Sequence, residues 1–582
     1  MPVGDAAAGA VPGPRWPARV TTVLVTVLVL GPLLVSGGIA LRGDMVFVPD
    51  QPWKSAWLGL DGSVPRAVPM DALVSLVDDM LPGALLQRVL LAAALLLGGF
   101  GIARLAGRFA ALGQVAAVVV YLWNPWVHER LEIGQWPTVM GYGLLPWLVL
   151  GAIRVRDRVE GGWPRLALVL VASAVCAPSV GLLGVVVALV VVLVGPDRRR
   201  CWGVLGLGLL ANLPWVVPSL LRGSIRGTDL GFGAFAARGE SSLGTVASLL
   251  SMGGIWKTSV VAPERTNAVV VAAAALLSLA LLAGYRYAAP AIGRRSAISL
   301  GWVGAGAFLL ALLPADRSIA DALGDLSVHV PALAILRDSQ RSLAPLGLVL
   351  ALGAAALVDR LVSGSADRAA DQRPGDRSGR LAGAALLVAA PVVLLPSMAW
   401  GLSGDLDPVH YPREWSQVAA VVAKDPGPVV VLPWTGSYRG FGWNHDRAVL
   451  DPAPRFLPGT VLVDDRVFLR GAVVPSEDPA LVRVGRALSA ADPAAALSNL
   501  GVRWVLVEKG NGAEHVPAGE LVHDGRDLAL VQMVDAETAG EFSRHRPPVW
   551  PVSLANATAA SVVVISIWSV TRHKGRNKLK TM

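Results

Sequence analysis

Residues 42–83 read RGDMVFVPDQPWKSAWLGLDGSVPRAVPMDALVSLVDDMLPG, and they follow directly on the long apolar run 19–41. This junction decides the fold. Six aspartates (Asp44, Asp50, Asp61, Asp71, Asp78, Asp79) stand against Arg42, Lys54 and Arg66. Acids so near an apolar run mark either a solvated loop or a polar site at a water boundary. Asp44 lies a few residues beyond the end of the run. Asp50 lies in a Pro-Asp-Gln-Pro-Trp turn, with Trp53 and Trp57 as interfacial anchors. Carboxylates at such a depth suit a base or a metal ligand that acts on a lipid-linked molecule.

Composition agrees with a membrane chain. The 582 residues are 54% hydrophobic and 16% charged, with a mean hydropathy of +0.55. A soluble protein of this length is far less apolar. Apolar runs of about 17–22 residues recur, enough to cross roughly 30 Å of hydrocarbon. The net charge of +9 raises the question of nucleic acid. The basic residues instead gather in short loops (RLAGR, RVRDR, GPDRRRC) and in the tail RHKGRNKLK, which is a cytoplasmic-side signature and excludes a nucleic-acid partner. Cys176 and Cys201 are the only cysteines, so no disulfide framework exists. The run 19–41 carries Arg15 and Arg19 on its flank but no small-residue cleavage site, and reads as a retained signal-anchor.

About twelve spans are expected: 19–41, 84–105, 109–123, 138–153, two short ones within 165–195 broken at Ala177-Pro178, 202–221, 267–285, 297–313, 342–359, 381–400 and 552–570. The plan is an α-helical polytopic membrane protein with a small extracytoplasmic α/β domain. A cytoplasmic tail (1–18) precedes a membrane domain (19–400) with outer loops 42–83, 124–137, 222–266 and 314–341. The linker 360–380 is polar and reads as a flexible cytoplasmic loop. The outer domain is 401–551, followed by the final span 552–570 and the basic cytoplasmic tail 571–582. This gives a multi-pass plasma-membrane protein with both termini inside. Within the domain, VVVLPW (429–434) and VRWVLVEKG (502–510) read as buried strands, and 479–501 as one or two helices. It carries no phosphate loop, no Ser-His-Asp set and no metal-ligand spacing.

Three clusters carry candidate chemistry. In YLWNPWVHERLEIGQWPTVM, His128, Glu129, Arg130 and Glu132 sit between tryptophan pairs Trp123/Trp126 and Trp136/Trp147. They form either a solvated loop top or one wall of a cavity shared with Asp44 and Asp50; the spacing of His128 and Glu129 is no metal motif. In ILRDSQRSLAP, a helix would place Arg337 and Arg341 on one face beside Asp338. Arginine grips phosphate through a planar two-bond fork, and the alternative is headgroup snorkelling. In the late domain, Trp434, Tyr438 and Trp443 suit sugar stacking or plain packing onto the membrane module.

Together these marks resemble a known class. The Asp-bearing first loop, the Asn124-Pro125 ending the third span, Leu145-Pro146-Trp147 in the next, and Arg337-Asp338-x-x-Arg341 before a late span are similar to the GT-C polytopic membrane glycosyltransferases. The resemblance is closest to the membrane module of the actinobacterial arabinofuranosyltransferase-like proteins, and covers roughly residues 19–360. It implies that Asp44 or Asp50 is the catalytic base, and that Arg337 and Arg341 bind the donor phosphate. The implied donor is a sugar on a polyprenyl phosphate within the membrane lipid, and the implied acceptor an envelope glycan. Transfer would invert the sugar, with the leaving phosphate balanced by arginines or by a divalent cation, the one cofactor the class suggests. A transporter or flippase of a lipid-linked envelope precursor would instead show charged residues at mid-bilayer and an internal repeat; the broken run 165–195 is the nearest candidate and has no charge. A non-enzymatic envelope assembly protein would tolerate loss of the first-loop acids.

Overall fold

A computed structural model describes residues 14–222, 231–363, 374–469, 472–512, 515–533 and 542–579. Most of the expected N-terminal tail, the centre of the 360–380 linker and the last three residues of the basic tail lie outside the described residues.

The first half of the chain is α1 (Trp16–Val35), α2 (Met70–Asp78), α3 (Gly83–Leu105), α4 (Ala111–Leu122), α5 (Pro125–Glu132), α6 (Trp136–Arg156), α7 (Gly162–Cys176), α8 (Pro178–Leu193) and α9 (Arg200–Leu221). Later long helices are Ala268–Tyr285, Arg294–Leu312, Leu346–Ser363, Pro374–Leu394 and Val549–Leu579. Among the described residues, eight helical stretches are long and apolar enough to cross a membrane, or nine if the pair bent by 71° at Leu395 is one span. The chain is therefore a polytopic membrane protein. The apolar runs at 109–123 and 165–195 form shorter helices: α4 has 12 residues, and α7 and α8 have 15 and 16. At 1.5 Å per residue α4 is only about 18 Å long. It is stopped by Asn124-Pro125, where Asn124 instead caps α5 by accepting from the Val127 N–H at 3.1 Å. The break between α7 and α8 falls at Ala177, which is extended (φ −168°, ψ 152°) before Pro178.

The late domain is α/β. Its strands are β1 (Val429–Leu432), β2 (Tyr438–Gly440), β3 (Ala448–Leu450), β4 (Val461–Leu462), β5 (Val467–Leu469), β6 (Ala472–Val474), β7 (Trp504–Glu508), β8 (Glu520–Asp524) and β9 (Leu528–Gln532). The main sheet runs β4-β1-β7-β9-β8. β1 pairs parallel with β4 and β7, and β9 antiparallel with β7 and β8. The Val-rich strands β1 and β7 are buried at every position, as a two-sided central sheet requires. The segment 479–501 forms two helices, Pro479–Leu488 and Pro493–Asn499, capped by Asp478 and Asp492.

Two antiparallel hairpins, β2–β3 and β5–β6, project from this sheet. The first hairpin docks on the loop after α1. Gly43 donates to Ala448 O at 2.9 Å and accepts from Leu450 N at 2.8 Å. Further bonds close the junction: Lys54 Nζ to Pro454 O (2.6 Å), Tyr411 O–H to Phe47 O (3.0 Å) and Arg455 to Asp71 (3.1 Å). The aspartate-rich loop is thus held between the helical bundle and the domain.

Candidate functional site

Asp44 is fixed by its backbone first. Its N–H donates to Ile133 O at 2.7 Å, in the turn between α5 and α6. The two chains interlock through glycines. Gly43 has φ +52°, and a Cβ there would lie 2.1 Å from Ile133 O; Gly134 has φ +83°, and a Cβ there would lie 2.1 Å from Arg42 O. Neither position admits a side chain. The loop, the α5–α6 turn and hairpin β2–β3 therefore meet at one residue.

The Asp44 side chain accepts from Gln135 Nε2 at 3.2 Å and from the Tyr438 hydroxyl in a short contact. Close packing around that hydroxyl, and the charge of Asp44, push the phenol's ionisation well above the usual tyrosine range. Tyr438 therefore stays a neutral donor. Lys257 lies 5.1 Å over the Tyr438 ring. Burial lowers its pKa, and Asp44 partly restores it. Arg42, beside Asp44, pairs with Glu132 through two guanidinium nitrogens, Nε at 2.9 Å and Nη2 closer still.

A second group lies alongside. Arg130 is wholly buried and grips Asp338 through two bonds, 2.6 and 3.0 Å. Asp338 also takes Arg341 at 3.2 Å. Burial alone would raise the Asp338 carboxyl; Arg130 and Arg341 reverse this and hold it below the ordinary range. Arg341 further donates to Ser179 Oγ at 3.2 Å and keeps a buried Nε without a hydrogen-bond partner among the described residues. Its charge interacts with that of Asp44. Gln135 joins the two groups, since it donates to Asp44 and accepts from Arg130 at 2.6 Å.

Arg337 takes another course. The segment 331–343 forms two 3-10 turns, Pro331–Leu336 and Ser339–Leu343, broken at Arg337-Asp338. The single helical face expected from the spacing is absent: Asp338, held by Arg130, has a non-helical backbone (φ −80°, ψ 82°) and divides the segment. Arg337 reaches Glu477 at 2.7 Å, while Glu477 also takes Arg66 of the first loop at 3.1 Å.

The other candidates separate. Asp50 is exposed, and no hydrogen bond to it is found among the described residues. His128, Glu129, Glu132 and Asp338 are all buried, and they line neither the cavity beside Asn124 and Arg265 nor the polar cavity at Arg222. Burial, then Arg265, pushes His128 down to about 3, so it is neutral; its Nε2 lies 3.3 Å from Ser397 Oγ. Burial beside Glu240 raises Glu129 well above the carboxylate range, and its Oε2 accepts from Gln340 at 2.9 Å. This loop is a buried polar network and not a solvated loop top. Trp443 packs among Tyr411, Trp415 and Phe441. Trp434 packs against the sheet core. Only Tyr438 of the three aromatics meets Asp44. Among the described residues no three His, Cys, Asp or Glu side chains converge as metal ligands. The polar atoms nearest Asp44 belong to an amide and a phenol, so the arrangement does not fit a bound divalent ion, and positive charge is supplied by Arg341, Arg42 and Lys257.

Sequence reasoning missed Gln135, Lys257 and Glu477. Gly43 and Gly134, at a close backbone crossing, were the one legible signal for where the loop is clamped.

No family model matches the chain, and no curated protein matches it. Solved structures do. The arabinofuranosyltransferase AftD from Mycobacteria superposes with a TM-score of 0.55 at 15% identity, over 92% of this chain and 40% of that one. A mutant of the same enzyme gives 0.55 at 16% identity, over 90% and 42%. ArnT from Cupriavidus metallidurans gives 0.43 at 14% identity, over 90% and 98%. The chain spans about two fifths of the length of the mycobacterial structures it matches. Its apolar helices, its late α/β unit and this superposition make it a multi-pass membrane protein with the GT-C fold that the motifs resembled.

Proposed function

We propose that this protein is a membrane glycosyltransferase that moves a sugar from a polyprenyl-phosphate donor to an envelope glycan at the outer face of the plasma membrane. One observation carries the reading. Asp44 is an acceptor-only carboxylate, pinned by backbone bonds at the domain junction, with the Arg341–Asp338–Arg130 group beside it. The fold likeness to an arabinofuranosyltransferase supports the class, and makes polyprenyl-phosphate arabinofuranose the first donor to test.

In this mechanism Asp44 takes the proton of an acceptor hydroxyl, which replaces Gln135, the longer of its two side-chain hydrogen-bond donors, while Tyr438 keeps its bond. The acceptor oxygen bonds to the anomeric carbon as the bond from that carbon to the phosphate oxygen breaks. The electron pair leaves with the polyprenyl phosphate. Arg341, whose Nε has no hydrogen-bond partner among the described residues, takes up that charge together with Arg337. Asp44 is preferred over Asp50 because a base must be held in place, and Asp50 lies in the open. The outer position of the late domain follows from the one-sided distribution of loop arginines.

The test is transfer by purified Asp44→Asn and Asp50→Asn variants in lipid. Asp44→Asn should lower turnover by about 10²–10⁴-fold, the scale of lost general-base catalysis, with the protein still inserted. Asp50→Asn should remain within a few-fold of wild type. Full activity in Asp44→Asn would refute the assignment.

A further inference from the structure

A polar cavity lies away from Asp44, between the first loop, the end of α9 and the late domain. Its volume is about 340 Å³, and Gly62, Arg222, Asp478, Arg483, Arg544 and His545 contribute to its wall. That size accepts a small ligand. Its charges are uneven. Arg544 is neutralised by Asp478 at 2.8 Å and by Asp61 at 3.4 Å. Arg483 reaches only a carbonyl, Ser543 O at 2.5 Å. Arg222 is 7% exposed, and its Nε and Nη1 have no hydrogen-bond partner among the described residues; Asp478 and Glu477 act on its charge only at longer range. Among the described residues neither Arg222 nor Arg483 forms an ion pair.

A buried guanidinium whose nitrogens lack hydrogen-bond partners is costly, because a charge taken out of water needs paired and bonded neighbours. It is retained where a ligand completes it. Two arginines without a direct ion pair in one cavity, with the start of helix Pro479–Leu488 in the same wall, suit an anion of more than one charge. Arginine forks fit tetrahedral oxyanions. Arg222 also directly follows the apolar helix Arg200–Leu221, so the cavity borders the depth of lipid headgroups.

We propose that this cavity is a binding site for a phosphate monoester, with Arg222 as its principal ligand and Arg483 as the second. The site is separate from Asp44, and does not depend on the transfer reaction. Glu477 and Asp478 are consecutive, and they face different arginines: Glu477 holds Arg66 and Arg337, and Asp478 holds Arg544.

The experiment uses the full chain in phosphatidylcholine nanodiscs and reads the unfolding temperature. One arm titrates inorganic phosphate at constant ionic strength. A second replaces part of the lipid by phosphatidate, which carries a monoester headgroup. Wild type should show saturable stabilisation in at least one arm; a response to inorganic phosphate identifies a soluble source, and a response to phosphatidate alone identifies a lipid headgroup. Arg222→Gln should abolish the response, yet unfold without phosphate at the same or a higher temperature than wild type, since it removes a buried charge with no direct ion pair. Arg483→Gln, at an exposed position, should weaken the response several-fold and serves if Arg222→Gln does not fold. Arg526→Gln, an exposed arginine elsewhere in the domain, should change nothing. Asp44→Asn should keep the full response even if it lacks transferase activity. No saturable response in either arm, or an equal loss in Arg526→Gln, overturns the proposal.

Discussion

Glu477→Gln separates stability from donor binding. Glu477 bridges Arg66 of the first loop and Arg337 of the 3-10 segment, at 3.1 and 2.7 Å. Burial alone would raise its carboxyl, but the two arginines prevail and hold it at about 2, against an ordinary 4.5. At roughly 1.4 kcal/mol per pKa unit, this linkage is worth about 3.5 kcal/mol at most. Arg66 is half exposed, with 52% of its side-chain surface open, and solvent screening reduces the part it contributes; about 1–2 kcal/mol is the working figure. The sign is that of a depressed acid. The stabilisation is fully present above about pH 4.5 and is lost as pH falls towards 2. Glu477→Gln should therefore lower the unfolding temperature at pH 7 by roughly 2–4 °C, and the gap to wild type should shrink below pH 4.5. The same change releases Arg337. If Arg337 binds the donor phosphate, Glu477 competes with that phosphate. Freeing about 1.4 kcal/mol corresponds to tenfold, so the donor KM should fall by up to that factor with kcat little changed. Thermal unfolding across pH and donor titration check the two halves. An unfolding gap that is flat from pH 7 to 3 would refute the linkage, and an unchanged donor KM would return Arg337 to a structural role.

Arg341→Lys should raise the donor KM, and Arg341→Ala more so, because the planar fork is lost in both and the charge only in the second; donor titration reads this directly. Tyr438→Phe should lower kcat by about tenfold while the fold is kept, since it removes one hydrogen bond, worth about 1.5 kcal/mol when the acceptor is charged; a wild-type rate would detach Tyr438 from Asp44. Gly43→Ala should cost at least about 1–2 kcal/mol for its left-handed backbone, with a further penalty from the clash at Ile133 O, and should be measured as a lowered unfolding temperature. Glu129→Gln should leave stability at pH 7 nearly unchanged, because burial already favours the neutral acid; a large loss would mean that Glu129 is ionised. Cysteines introduced at Asp425 and Arg158 in a cysteine-free background should differ in labelling by an impermeant reagent on intact cells, with Asp425 labelled and Arg158 protected.

What the sequence disclosed was local. Apolar runs gave the long helices, because about twenty consecutive apolar residues suffice to define a span. Val429–Leu432 and Trp504–Glu508 were legible as strands, since both faces are covered and every position but Glu508 is apolar. The proline after Ala177 marked the helix break. Two kinds of feature were hidden. The segment around Arg337 has helical spacing, but the non-helical backbone at Asp338, which is held by Arg130, divides it into two short 3-10 turns. Contacts between distant residues left no local trace: Tyr438 meets Asp44 across 394 positions, and Glu477 meets Arg337 across 140. The cluster His128–Glu132 was ambiguous for a related reason. Charged residues at a loop read alike whether water or a buried partner such as Gln340 or Arg42 satisfies them.

The hydrogen bonds of Gly43 to Ala448 and Leu450 bear on biogenesis. Asp44 enters the membrane early in synthesis, with the first helix. Its final setting requires the turn at Ile133 and a hairpin made some four hundred residues later. Until that hairpin emerges and docks, the newly inserted membrane segments hold a carboxylate without its phenol partner and without a fixed backbone. Closure of the late domain and maturation of the site are then a single event. A truncated or stalled chain would be inserted with this loop unclamped and, if Asp44 is the proposed base, inert.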